Sequence, residues 1–203
     1  MSSEDLLQNV ETSPKRAARW LLVSAYLPLC WLGMQVVHES GHVLAAGLSG
    51  ATGIRVVLHP LEISRTDVAI NPQLAFVTWC GPMVGIVLPL AGWWMLRRWC
   101  RSLAFLGQFF AGFCLVANGA YLGMSPVSAV GDAEVLVRCG TPLWLLAAFG
   151  LATVVPGFWL WNGLGADFGW GPQAKPVSMK LTSVIWLSLV AVVVTELLTQ
   201  MAV

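Results

Sequence analysis

Apolar residues along the chain gather into five long runs separated by short polar breaks. The runs cover Trp20 to about Leu48, about Gln73 to Leu96, Ser102 to Leu122, Leu143 to Trp161, and Leu181 to Val203. Each supplies about the 20 residues needed to cross a hydrocarbon core of roughly 30 Å. Backbone groups in lipid find no water to bond, so each run must satisfy its own N–H and C=O groups, which predicts helices. Residues 1–19 are polar and close on Lys15, Arg16 and Arg19, a composition that predicts a disordered or interfacial tail. The first run is too long for a cleavable signal peptide, and no small-residue cleavage site follows a short apolar stretch. The pattern therefore predicts an all-α polytopic membrane protein, with one membrane-embedded domain over 20–203 behind a polar tail over 1–19.

Two connections are more than turns. Residues 54–70 are β-branched and partly alternating, with Pro60 dividing them, which predicts a short β-hairpin after the first helix. Residues 123–142 carry Gly, Ser and Pro early and Gly131-Asp132-Ala133-Glu134 in the middle. Gly81 with Gly85, and Gly119 with Gly123, stand at four-residue spacing, where helices can pack closely.

Composition agrees with lipid as the solvent. Hydrophobic residues make up 57% and charged residues 10% of the 203, where a soluble domain carries about 25% charged residues. A net charge of +1 predicts no nucleic-acid partner. The five cysteines form no C-x-x-C pair and no disulfide framework; small buried apolar side chains is their simplest reading. The eleven tryptophans fit membrane-interface belts. Lys15, Arg16, Arg19, Arg97, Arg98, Arg101, Lys175 and Lys180 lie on the N-terminal side of the spans, against Arg55, Arg65 and Arg138 on the other. The positive-inside rule then puts the N-terminus in the cytoplasm.

Chemistry concentrates in His38-Glu39-Ser40-Gly41-His42, near the far end of the first run. On a helix, positions i and i+4 share a face about one turn apart, so two imidazoles can hold one metal. A glutamate beside the first histidine projects toward the metal's open position, where it can take a proton from water. Ionisable groups within an apolar span cost about 2.5–3.5 kcal/mol each at the bilayer centre, so groups found there normally face a partner or a cavity. The alternative is a chance match of five residues.

A catalytic zinc usually has three protein ligands, so one more must come from elsewhere. Asp67, Asp132, Glu134 and Asp167 are the acidic candidates, with Glu62 and His59 as outsiders. From Trp20 to His38 is about 27 Å of helix, which places the histidines on the side of the loops 49–72 and 123–142 and excludes Asp167. Asp132 lies between Gly131 and Ala133, which leave its carboxylate room; the plainer alternative is a solvated aspartate or a helix N-cap before Ala133–Val137. Asn118 either steadies the site, holds a substrate backbone, or bonds a neighbouring helix. Tyr121 reads as an interfacial aromatic, and His59 as a surface residue.

The H-E-x-G-H at the end of a membrane helix, the hairpin-like segment after it and Gly81-Pro82 early in the next span resemble the site-2 protease family of intramembrane zinc metallopeptidases. Asn118-Gly-Ala-Tyr121-Leu-Gly-Met-Ser125 followed by Gly131-Asp132 resembles its small branch with a Gly-Asp third-ligand motif. The resemblance covers roughly residues 30–137. The Asn-Pro-Asp-Gly or Leu-Asp-Gly usual around the aspartate is absent, and segment 54–70 is too short for an inserted PDZ domain. The resemblance implies one Zn2+ held by His38, His42 and Asp132, with Glu39 as general base activating zinc-bound water. It implies hydrolysis of a peptide bond in or near a transmembrane segment of a membrane-protein substrate. It also implies a site nearer the cytosol, whereas the charge count places the site toward the outer face. The hairpin would offer its edge to an unwound substrate strand. The alternative function is a zinc-binding membrane protein without protease activity: a scaffold, a helix-binding chaperone or a metal carrier.

Overall fold

A computed structural model describes the backbone of residues 3–201 and the side chains of residues 16–199. Among these are five helices long and apolar enough to cross a membrane: Arg16–Leu48, Leu74–Trp99, Arg101–Gly123, Leu143–Trp161 and Met179–Thr199. They fall on the five apolar runs, and with the small antiparallel sheet after the first they make the chain an all-α polytopic membrane protein. The last two residues of the fifth run, and the first two of the tail, lie outside the described residues.

The first helix, α1, runs unbroken over Ser3–Leu48. The polar leader, expected as a disordered or interfacial tail, is helical from Ser3, which leaves of the two only an interfacial segment. Polar composition reports where a segment is solvated, not its backbone conformation, and the helix continues through both Pro14 and Pro28. The chain packs as two compact units, Gly33–Asn162, and Met1–Leu32 with Gly163–Val203.

In the Gly33–Asn162 unit, the end of α1 leads into strands β1 (Thr52–Val57) and β2 (Arg65–Ile70). They pair antiparallel, with Thr52 opposite Ile70, Arg55 opposite Asp67 and Val57 opposite Arg65. Successive β2 side chains alternate: Thr66 and Val68 turn inward, while Arg65, Asp67 and Ala69 are exposed. Val68 and Ile54 pack on Ala45, Ala46 and Val77, which seats the hairpin on the end of α1 and the start of the next helix. That helix, α2, covers Leu74–Trp99 and keeps Pro82 and Pro89 in its interior, which neighbouring helices make tolerable within a membrane.

Helices α3 (Ala104–Gly123) and α5 (Leu143–Trp161) form a seam of small residues. A Cβ on Gly123 would stand 2.9 Å from the Gly150 Cα, and one on Gly157 2.9 Å from the Gly112 carbonyl oxygen. Glycine at these positions lets the two backbones touch. The connection 123–142, expected as a loop, contains a short helix, α4 (Asp132–Arg138). Its Ala133 and Leu136 are buried against Leu122 and Leu146, so the apolar side of this short segment is what ties it to α3 and α5.

In the other unit, residues 163–178 wrap the start of the first span. The Arg19 guanidinium lies 4.4 Å over the Trp170 ring and donates to the Gly169 carbonyl. The last helix, α6 (Met179–Met201), places the Trp186 indole N–H 3.0 Å from the Leu21 carbonyl.

Candidate metal centre

His38 and His42 lie one turn apart on α1, and their Nε2 atoms stand 3.0 Å from each other. The first residue of α4 meets them: Asp132 Oδ2 is 2.9 Å from His38 Nε2 and 3.2 Å from His42 Nε2. Both histidines are buried and Asp132 is half-buried. Together they form a three-residue group able to hold a metal ion.

The outer partners fix which ring atoms face inward. His42 Nδ1 lies 2.8 Å from the Val77 carbonyl, which can only accept, so Nδ1 carries the proton and donates. Asn118 donates through Nδ2 to the Cys114 carbonyl at 2.9 Å, which turns its Oδ1 toward His38; His38 Nδ1–H donates to it at 2.7 Å. Each neutral imidazole therefore presents an Nε2 lone pair to the centre. Two lone pairs and a carboxylate oxygen then converge, an arrangement that a cation between them could complete. Three ligands of a tetrahedral zinc at about 2.0–2.1 Å stand about 3.3 Å apart, close to the separations of 2.9–3.2 Å found here. Nδ1–H donation to a carbonyl or amide is also what orients metal-binding histidines generally.

Local structure delivers Asp132 to this point. Gly131 has φ +56°, a conformation that L side chains rarely adopt. The following Asp132 N–H donates to the Tyr121 hydroxyl at 2.8 Å. Tyr121, expected as an interfacial aromatic, lies beside the site, its ring edge-on to His38 with centroids 6.2 Å apart. Asn118, 2% exposed, bonds a neighbouring helix and by that same bond steadies the site.

Glu39 is 3% exposed. Its two carboxylate oxygens are taken by different hydroxyls of the hairpin: Ser64 donates to Oε1 at 2.7 Å and Thr66 to Oε2 at 2.6 Å. The Ser64 backbone N–H donates to Gln35 Oε1 at 2.8 Å, one turn before Glu39 on α1. Glycines make the room. On α2, Gly81 and Gly85 lie one and two turns past Val77; a Cβ on Gly81 would strike the His42 ring, and one on Gly85 would stand 2.9 Å from the Asn118 amide. Gly41 packs on the α2 backbone at Cys80 and Gly81. The four-residue glycine spacing thus builds the site as well as the helix packing.

The other candidates are elsewhere. Asp67 is exposed and pairs with Arg65 at 3.3 Å, Glu134 pairs with Arg138 within α4, and Glu62 is exposed. His59 is half-buried and accepts the Leu61 N–H at 3.2 Å within its own turn. Asp167 pairs with Lys175 at 2.7 Å. Sequence reasoning missed Gln35, Ser64 and Thr66. Their available signal was the i, i+4 spacing of Gln35 and Glu39 and the i, i+2 spacing of Ser64 and Thr66 where β2 begins. No protein-family model, curated protein or solved structure matches the chain, so a functional reading rests on these residues alone.

Proposed function

We propose that the chain is an intramembrane zinc metalloprotease that hydrolyses a peptide bond in or near a transmembrane segment of a membrane-protein substrate. The observation that carries the reading is the convergence of His38 Nε2, His42 Nε2 and Asp132 Oδ2, within 2.9–3.2 Å of one another, with the buried Glu39 following His38 on the same helix. Two imidazoles and one carboxylate are a donor set that catalytic zinc uses. When bound at such a site it acidifies a water and polarises a carbonyl oxygen. Glu39 is the general base: a carboxylate offers about four lone-pair sites, and the two hydroxyls occupy one on each oxygen. Asn118 and the Val77 carbonyl keep both imidazoles in the metal-binding tautomer. The excess of Lys and Arg on the N-terminal side of the spans favours a site toward the outer face.

The test is elemental analysis of the purified chain together with cleavage of a co-expressed single-span membrane substrate, in the native chain and in Glu39→Gln. The reading expects one zinc per chain in both, with cleavage only in the native. A native chain free of zinc, or cleavage that survives Glu39→Gln, overturns it. Bound zinc with no cleavage of any membrane substrate offered would leave a zinc-binding membrane protein.

A further inference from the structure

The two hydroxyls on Glu39 come from Ser64, directly before β2, and Thr66 within it. Residues two apart in an extended segment point to the same side, and Ser64, Thr66 and Val68 form such a row. Its first two members reach the two oxygens of a single carboxylate, and its third is anchored in the apolar cluster of Ala45, Ala46 and Val77. Ser64 is held from its backbone as well, by Gln35 Oε1. Helix α1 thus grips the strand at two successive turns, through Gln35 and Glu39, both at most 4% exposed.

We propose that Ser64 and Thr66 are positioning residues for Glu39, so that the hairpin sets the orientation of the base. This inference rests on the peptidase reading. A glutamate has three rotatable side-chain bonds, and one hydrogen bond would still let its carboxylate plane swing. Donors on both oxygens fix the plane. One lone pair on each oxygen stays available for a proton. The alternative use of the same contacts is a gate, in which the hydroxyls block the base until the hairpin lifts. The two uses predict opposite signs.

Kinetics of the full-length chain on a membrane substrate separate them. Ser64→Ala and Thr66→Val are each expected to lower kcat about 10-fold, and the pair about 100-fold, the scale on which small misplacements act. KM and zinc content should stay at native values. Thr66→Ser, which returns a hydroxyl, should recover most of the rate lost in Thr66→Val. An unchanged or raised kcat in the double variant overturns the proposal, as does a Thr66→Ser chain as slow as Thr66→Val. The labelling rate of Glu39 by a hydrophobic carbodiimide gives a readout without turnover. It should rise severalfold in the double variant, with Glu39→Gln as the blank. If the native chain cleaves nothing, the peptidase reading has failed, and unchanged labelling in the double variant would separately sink the clamp.

Discussion

His38 Nδ1 donates to Asn118 Oδ1 across 2.7 Å, from the first membrane helix to the third. That bond does two things at once. It turns the His38 Nε2 lone pair toward Asp132, and it ties α1 to α3 at a point where both are buried.

Asn118→Leu should therefore weaken metal binding about 10- to 100-fold, the usual cost of losing an outer partner of a metal-binding histidine. Asn118→Asp keeps an acceptor in place and should bind more tightly than Asn118→Leu. Competition with a chelator of known affinity measures both. Equal affinity in the native chain and Asn118→Leu would mean that the bond does not orient the ring.

Single replacement of His38, His42 or Asp132 by Ala should abolish stoichiometric zinc, because a three-ligand site loses its grip when one donor goes. Asp67→Ala and Glu134→Ala, whose carboxylates pair with Arg65 and Arg138 instead, should retain it. Removing the metal with a chelator should also lower the melting temperature of the native chain, since a ligand at about 100 times its Kd contributes about 2.7 kcal/mol. That shift should vanish in His42→Ala. Elemental analysis and thermal denaturation in detergent read out both outcomes.

Gly81→Ala would drive a methyl group into the His42 ring. The ring cannot retreat without giving up the Val77 carbonyl, so overpacking should cost about 1–3 kcal/mol of stability and displace Nε2 from the centre. Gly92→Ala on the same helix meets nothing within 4 Å and should be silent in both respects. Zinc content and melting temperature of the two variants check the contrast.

Gly131→Ala would strain the backbone at φ +56° and press on the Tyr121 hydroxyl. It should cost about 1–3 kcal/mol and move Asp132 off the histidines. Tyr121→Phe leaves the fold of α4 in place but strands the Asp132 N–H, at a cost of about 1–3 kcal/mol. Zinc affinity should fall in both, and further in Gly131→Ala. A Gly131→Ala chain with native zinc affinity would show that the loop conformation does not place the ligand.

The chain by itself determined what depends on local spacing and on solvent. Run length against membrane thickness, and the need to satisfy backbone groups within lipid, settle the five helices and their approximate ends. The 3.6-residue period puts His38 and His42 on one face, and β-branched residues around Pro60 mark the hairpin. Only the tertiary structure decided what crosses between elements. Asp132 comes to His38 from 94 residues away because Gly131 and Tyr121 aim α4. Gly81 and Gly85 matter because the rotation of α2 points them at His42 and Asn118. Ser64 and Thr66 matter because the hairpin's inward face lands on Glu39. Periodicity sets which residues share a face; how far each helix is turned about its axis, and so which faces meet, follows from packing that no single segment contains.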